Sequence, residues 1–277
     1  MESFFMTSVQ ISTPVRTGFL RFSTLAVRCF SISVLRAGAI AGVSFGCING
    51  ASAQTAAAPA VGFVQIGIGK TFTSASIGSA NNYGAITGGQ FTAWNGTSWV
   101  PSGVALSQVA TGSDGERWGI TSTGEVYHYY RSSWQLKYSA PALKQISVGS
   151  AAYVWGLNSV GRIGKWNGLN WLLVEGIFAS VSIGADGTAF GVKADDTVWR
   201  WTGVHWVQIG GLLRQISVGS GTNTWGLQSD GAIWKLNGAM TGWDIQRQVP
   251  PGSYIGVSAA ADGSVLLVRS DGTLWKK

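Results

Sequence analysis

Apolar and polar residues alternate along most of the chain in short runs, and glycine-containing turns separate these runs. An alternation with a period of two residues predicts half-buried β-strands rather than helices. The run QISVG at 145–149 returns as SVSIG at 180–184 and as QISVG at 215–219, with weaker copies at 74–78, 108–112 and 254–258. Copies of one strand spaced by 34 to 39 residues indicate an array of repeated supersecondary units.

Each unit continues through the same series of features after this first strand. In the clearest copy a second strand, WGLQS at 225–229, is followed by the turn Asp230-Gly231 and by a third strand at 233–236. The turn Asn237-Gly238 then leads to a fourth strand that begins at Trp243. Asp-Gly and Asn-Gly between apolar runs are strong hairpin signals, so one unit is predicted to be a four-stranded antiparallel meander.

The last unit lacks its fourth strand, and the start of the repeat region supplies a matching strand. Five complete units are predicted, at 73–106, 107–144, 145–179, 180–214 and 215–253. The sixth unit, 254–277, stops after its third strand, whereas the run GFVQIG at 62–67 matches the fourth-strand run WVQIGG at 206–211. The sequence therefore predicts an all-β fold over 62–277, a six-bladed β-propeller closed by an N-terminal strand that completes the last blade.

The N-terminal segment differs from the repeats and has the features of a leader. Residues 1–53 contain four arginines and a single acid, Glu2, followed by an uncharged stretch at about 37–48 and by Ala51-Ser52-Ala53. This order predicts a signal peptide cleaved after Ala53, a linker at 54–61 and a secreted or periplasmic protein. An organellar transit peptide and a lipoprotein cleavage box at Cys47 are alternative interpretations. No membrane span is expected in the mature chain.

Charge and reactive residues narrow the classes of function. The formal charge of +7 falls to +4 without the leader, and the remaining Lys and Arg residues form no cluster, so no nucleic-acid partner is expected. Both cysteines, Cys29 and Cys47, lie in the leader, and the chain contains two histidines. With so few candidate ligands and bases we expect no metal, no cofactor and no enzymatic activity.

The fifth unit resembles a known repeat. Its run from Trp225 to Gly238, WGLQSDGAIWKLNG, is similar to the tectonin repeat of tachylectins, fish-egg lectins and fungal and slime-mould tectonins. The resemblance implies a six-bladed propeller that binds glycans, including lipopolysaccharide or modified sugars. Units one and two depart from the pattern at 88–90 and 129–131. A single run at 155–164 resembles the chromosome-condensation-regulator propellers, which repeat their motif at a longer period.

Turns that combine an amide or imidazole with a tryptophan are candidate carbohydrate sites, because an indole can stack on the apolar face of a sugar. The candidates are Asn95, Trp99, Asn167, Trp171, His205, Trp206, Asn237 and Trp243. The alternative interpretation is structural, since a tryptophan that recurs in every blade is suited to filling the space between blades.

A second set of candidates recurs at the third position of the third strand. Blade one has Ala93 there, and the other five blades have the predicted anion or glycan contacts His128, Lys165, Arg200, Lys235 and Lys276. Such residues could form cationic pockets between blades for charged groups of a glycan. Alternatively, each stacks on an aromatic ring or pairs with an acid of the neighbouring blade.

Together these features predict an exported, lectin-like protein whose partners are surface glycans or lipopolysaccharide, bound through repeated weak sites. The alternative is a non-enzymatic scaffold of the same fold that binds a protein partner.

Overall fold

The computed structural model describes residues 62–137 and 140–277, and it contains 24 β-strands in six sheets of four. The prediction of six four-stranded antiparallel blades is confirmed. The predicted signal peptide, 1–53, and the predicted linker, 54–61, lie outside the described residues. Within the described ranges, no helix has the length and apolar character needed to cross a membrane.

The strands are numbered along the chain, and β1 is Val64–Ile66. Blade one contains β2 (Ser74–Ser79), β3 (Asn82–Thr87), β4 (Gln90–Trp94) and β5 (Trp99–Pro101). Blade two contains β6 (Gln108–Thr111), β7 (Arg117–Ile120), β8 (Val126–Tyr130) and β9 (Ser133–Leu136). Blade three contains β10 (Leu143–Ser150), β11 (Tyr153–Asn158), β12 (Arg162–Trp166) and β13 (Trp171–Ile177).

The second half of the chain repeats this arrangement. Blade four contains β14 (Ser180–Ile183), β15 (Ala189–Val192), β16 (Thr197–Trp201) and β17 (Trp206–Leu212). Blade five contains β18 (Gln215–Ser220), β19 (Asn223–Leu227), β20 (Ile233–Leu236) and β21 (Trp243–Ile245). Blade six contains β22 (Tyr254–Ala259), β23 (Val265–Arg269), β24 (Leu274–Lys276) and β1.

The first strand of each blade lies at the axis of the ring. These strands contact one another in the order β2, β6, β10, β14, β18 and β22, and β22 contacts β2. A cavity of about 80 Å³ is lined by residues from all six first strands. The fourth strand of each blade therefore lies at the outer rim, and the hairpin turns lie at the two ends of the ring.

The predicted closure of the ring is confirmed. β1 pairs antiparallel with β24, with Val64 opposite Lys276 and Ile66 opposite Leu274. The side chain of Phe63 is buried and packs with core residues of blades five and six, including Trp225 and Val257. The two ends of the repeat region are thus joined by both hydrogen bonds and apolar contact.

The apolar core lies between the blades rather than within any one of them. One cluster joins Phe190 and Val198 of blade four to Ile216 and Val218 of blade five. The other clusters also combine residues of neighbouring blades. A single blade would leave both of its faces exposed to water, so folding depends on the packing of each blade against its neighbours.

The glycine near the end of the first strand has a steric role that explains the QISVG repeat. A Cβ atom on Gly149 would lie 2.1 Å from the carbonyl oxygen of Gly184 in the next blade. A Cβ on Gly219 would lie 2.2 Å from the carbonyl oxygen of Ala260. Real Cβ atoms do not approach an oxygen this closely, so only glycine allows the inner strands to pack at this separation.

Consecutive blades are also linked by aspartates in alternate blades. The turns between the first and second strands of blades two, four and six carry Asp114, Asp186 and Asp262. Each carboxylate accepts a hydrogen bond from a backbone N–H of the following blade, from Ala151 at 2.8 Å, Gly221 at 2.8 Å and Ala80 at 2.7 Å. The six blades therefore form three similar pairs.

These links predict sensitivity to acid. Partial burial acts to raise the pKa of Asp186 and of Asp262, but several hydrogen bonds, including those from Gly221 and Ala80 respectively, together outweigh it and leave both pKa values below normal. A carboxyl with a lowered pKa in the folded state contributes stability above its unfolded pKa and loses it as the pH falls through the folded pKa. We expect the melting temperature to decrease as the pH drops below about 4.

The test compares thermal unfolding between pH 5 and pH 2 for the wild type and a double variant, Asp186→Asn with Asp262→Asn. The melting temperature of the variant should depend less steeply on pH. A control variant, Asp244→Asn, changes an exposed carboxyl and should keep the wild-type slope. Equal slopes for the double variant and the wild type would show that these two links do not govern acid stability.

Candidate functional site

Successive side chains of each third strand point to opposite neighbouring blades. In blade four, Val198 packs in the cluster shared with blade five, and Arg200 Nη1 lies 3.6 Å from Met240 Sδ of blade five. Trp199 and Trp201 pack in the cluster shared with blade three. We call the outer space between two consecutive blades an interblade slot. One wall of each slot thus carries the residue at the third position of the third strand, such as Arg200 in blade four. The other wall carries aromatic residues of the next blade.

The fourth-strand tryptophans lie within these slots. Trp206 packs on Phe178 with ring centres 4.4 Å apart, and its Nε1 donates to the carbonyl oxygen of Glu175 at 2.9 Å. Trp243 Nε1 donates in the same way to Gly210 at 2.9 Å. Trp171 lies 5.5 Å from Trp166, and Trp99 lies 5.2 Å from Phe72. All four indoles are partly buried and contribute to packing between blades.

The predicted amides shape the outer hairpin turns. Asn95 Oδ1 accepts hydrogen bonds from the N–H groups of Thr97 and Ser98 at 2.9 and 2.8 Å. Asn167 Oδ1 accepts in the same way from Leu169 and Asn170, and Asn237 Oδ1 accepts from Thr241. His205 is exposed at the tip of the blade-four turn. The structure places these residues in separate turns around the rim and does not bring them together.

Three of the five basic candidates contact aromatic rings. Lys276 Nζ lies 4.7 Å from the ring centre of Tyr83 in blade one and donates to the carbonyl oxygen of Ala80. Lys235 Nζ lies 5.7 Å from the ring centre of Trp225 in its own blade. His128 stacks on Trp118 at 4.5 Å. These contacts are of the kind expected from the structural interpretation of the basic positions.

The other contacts of the basic candidates differ from blade to blade. The Nε2 atom of His128 also lies 2.7 Å from Glu116 Oε1, Arg200 contacts Met240, and Lys165 is exposed. The five basic residues lie in five different slots, so they form no shared cationic centre. Within residues 62–137 and 140–277, no three His, Cys, Asp or Glu side chains lie close enough together to hold a metal ion.

The strand register shows that one slot differs from the other five. In five blades the basic residue lies opposite a large apolar residue of the second strand: Trp118 with His128, Trp155 with Lys165, Phe190 with Arg200, Trp225 with Lys235 and Leu266 with Lys276. In blade one the corresponding pair is Gly84 with Ala93. The slot between blades one and two therefore lacks both side chains that occupy the others.

A cavity of about 590 Å³ lies in this slot. Its lining includes Phe91, Ala93, Asn95, Arg117, Tyr129 and Trp134. The ring of Phe91 occupies the space beside Gly84, so the opening lies next to Ala93. We call this cavity the first slot. Its volume falls in the range of small-molecule sites, and its walls combine aromatic rings with a few polar groups.

Arg117 gives the first slot its charge. Its Nη2 donates to Asn82 Oδ1, and its guanidinium carbon lies 5.7 Å from the ring centre of Tyr129. The Nε atom is buried and has no hydrogen-bond partner within the described part of the chain. Burial lowers the pKa of Arg117, and Tyr129 acts in the opposite direction. No aspartate or glutamate is among the residues that line the cavity.

The sequence pointed to this slot only in part. Asn95 was among the predicted site residues, and Ala93 was the exception in the basic series. Arg117, Tyr129 and Trp134 were missed. The available signal was the coincidence of Gly84 and Ala93 at positions where the other blades have large residues, and it requires the strand register to be recognised.

The repeats match a known family over more than half of the chain. The Tectonin domain matches residues 122–277. The chain belongs to the Tectonin domain family. The match begins near the end of the second strand of blade two and runs to the end of this tectonin propeller. No curated protein sequence matches the chain.

Solved structures share the fold of the tectonin propeller. U3-55K has a TM-score of 0.58 and 9% identity, with 79% of this chain and 98% of that chain covered. YCF48 bound to a D1 peptide has a TM-score of 0.52 and 14% identity, with 74% and 77% covered. Streptogramin B lyase has a TM-score of 0.52 and 14% identity, with 72% and 76% covered. At these identities the likeness shows a shared β-propeller fold.

Proposed function

We propose that this tectonin propeller is exported and binds surface glycans, including lipopolysaccharide, without catalysing a reaction. The observation that carries the proposal is the first slot, where aromatic rings, an amide and a guanidinium line one cavity. Tyr129 and Trp134 offer faces or edges to the apolar side of a sugar ring, and Asn95 offers amide hydrogen-bonding groups near the same cavity. This combination suits a ligand that is apolar on one face and polar around its rim.

Further contacts would come from the other blades. Asn167 with Trp171, and Asn237 with Trp243, repeat the amide and indole combination at the rim. Each contact would be weak alone, since these indoles are partly buried by packing. Contacts to one multivalent surface raise avidity without any new type of interaction, which favours polymeric glycans as ligands.

Binding is favoured over catalysis by the chemistry of the described residues. His128 stacks on Trp118 in a slot filled by further tryptophans, and His205 stands alone at a turn. A general base must lie within reach of the proton that it removes. His128 lies in blade two and His205 in blade four, so the two imidazoles cannot act together on one substrate. We therefore place a binding role ahead of the lyase chemistry named for one structural neighbour.

A second candidate function is a protein-binding scaffold. The outer strands β13 and β17 are the longest outer strands of the propeller and expose apolar side chains: Leu173 is 69% exposed, Ile177 58% and Leu212 56%. Exposed apolar edge strands can pair with an extended segment of another chain. A structural neighbour, YCF48, is bound to a peptide, which gives this alternative some support.

A variant that fills the first slot tests the glycan proposal. Ala93→Lys gives blade one the residue found at this position in three other blades, and its side chain should occupy the opening. On a glycan array, residues 54–277 should bind a defined set of glycans, and Ala93→Lys should reduce that binding at least tenfold with an unchanged melting temperature. The matched control, Ala194→Lys, adds the same charge at an exposed turn of blade four and should bind like the wild type.

The array also separates the two candidate functions. Absence of binding to every glycan and to lipopolysaccharide would reject the lectin proposal. Retention of full binding by Ala93→Lys would place the glycan site elsewhere on the propeller. The proposed export is tested separately by sequencing the N-terminus of protein recovered outside the cytoplasm, which should begin at Gln54.

A further inference from the structure

The cation of the first slot, Arg117, comes from blade two, on the wall opposite Ala93 of blade one. In blade two, Arg117 lies one position before Trp118 on the second strand. The equivalent position in the other five blades has an uncharged residue: Tyr83, Val154, Ala189, Thr224 and Val265. The slot that lacks the third-strand cation, because blade one has Ala93, is thus the slot that receives a guanidinium from the next blade. This exchange places the guanidinium in the lining of the cavity, with its carbon 5.7 Å from the ring centre of Tyr129.

The charge of Arg117 is not balanced by an acid. Its one hydrogen-bonded side-chain partner in the described residues is the neutral amide of Asn82, and that amide is held in place by a bond from its Nδ2 to the Gly112 carbonyl oxygen. The adjacent Glu116 points to the other face of the strand, where its Oε1 accepts a hydrogen bond from Trp118 Nε1 at 2.6 Å. No salt bridge within the described ranges includes Arg117.

A partly buried guanidinium that has no acidic partner has a strong preference for an anion. Removing charge from water is costly unless a charged or hydrogen-bonding partner replaces the water. The planar N–H groups of arginine match the two oxygens of a carboxylate or a sulfate, and such charge-assisted bonds are stronger than bonds between neutral groups. The aromatic walls formed by Tyr129 and Trp134 favour an anion carried on a sugar ring over a free inorganic anion.

We propose that the first slot selects sugars that carry a carboxylate or sulfate group, with that group bound at Arg117 and the sugar ring against Tyr129 and Trp134. This inference rests on the proposed glycan-binding function and adds the chemical class of the ligand. It also assigns Arg117 as the residue that determines specificity, whereas the aromatic walls supply affinity that is common to charged and neutral sugars.

Titrations with matched sugars test the specificity. Residues 54–277 are titrated by calorimetry with glucuronic acid, its uncharged methyl ester, glucose 6-sulfate, glucose and inorganic sulfate. At least one of the two anionic sugars should bind ten times or more tighter than its neutral counterpart, and the comparison of the two shows which anion fits. Inorganic sulfate should bind more weakly than the preferred sugar, because it makes no contact with the aromatic walls.

Variants then assign the difference to Arg117. Arg117→Gln should bind charged and neutral sugars equally, with the affinity for the neutral sugar within about twofold of the wild type. The control Arg162→Gln removes an exposed guanidinium from β12 of blade three and should keep the wild-type preference. If Arg117→Gln does not fold, Ala93→Glu provides a second route, because a carboxylate placed in the first slot should pair with Arg117 and displace the anionic sugar.

The outcomes separate the two levels of the proposal. Equal affinity for the charged and neutral sugars would overturn the specificity inference and leave glycan binding intact. Inorganic sulfate that binds as tightly as the anionic sugars would also overturn it, as the site would then recognise an anion alone. Absence of any glycan binding on the array would instead reject the proposed function itself.

Discussion

Removal of residues 62–67 is expected to destabilise the entire propeller. β1 supplies the outer strand of blade six, and Phe63 packs between blades five and six, so the deletion removes strand pairing and a buried aromatic side chain together. Loss of a buried Phe alone typically costs about 3–5 kcal/mol. For a domain of this size that corresponds to a fall of roughly 6–20 °C in melting temperature.

The measurement is thermal unfolding of chains that begin at Gln54, at Gly62 and at Ile68. The first two chains should melt at the same temperature, because residues 54–61 precede the closing strand. The chain that begins at Ile68 should melt far lower or fail to fold. If all three melted together, closure by β1 would not contribute to stability.

Substitution of Gly219 by alanine is expected to be nearly as damaging, although it adds one methyl group. The new Cβ would lie 2.2 Å from the carbonyl oxygen and 2.3 Å from the carbonyl carbon of Ala260, which are backbone atoms of the next blade. Relief requires the backbones of blades five and six to separate at this point. We expect a loss of about 3 kcal/mol in the free energy of unfolding, at the upper end for added methyl groups in a packed core.

A second glycine provides the control for this substitution. Gly238 lies in an exposed turn of the same blade, and a Cβ there would meet no atom within 4 Å. Gly238→Ala should change the free energy of unfolding by no more than about 0.5 kcal/mol. Denaturant unfolding of both variants measures the difference. Equal effects of the two substitutions would contradict the steric explanation of the repeated glycine.

The architecture was predictable because its determinants recur. Copies of the QISVG strand recur every 34 to 39 residues and Asn-Gly turns recur in several units, so a signal that is weak in one unit gains weight from repetition. The match between 62–67 and 206–211 identifies the closing strand. The pairing of blades through Asp114, Asp186 and Asp262 was not predicted. It depends on contacts between blades, and an Asp-Gly turn has the same local sequence whether or not its carboxylate reaches a neighbour.

The first slot was less predictable for a related reason. Ala93 is visible in the sequence as a break in the basic series, but its partner across the strands, Gly84, is nine positions away and gains meaning only from the register. Arg117 belongs to the next blade and points back toward blade one. Blade one lacks two large side chains, at Gly84 and Ala93, and blade two adds a guanidinium, so the sequence of neither repeat alone predicts the site.

Binding of a glycan in the slot between blades one and two is tested most directly by a crystal structure of residues 54–277 with the tightest-binding glycan of the array. The sugar ring should lie against Tyr129 and Trp134, with an anionic group at the Arg117 guanidinium. A glycan bound only at other blades, with the first slot occupied by nothing but solvent, would contradict it.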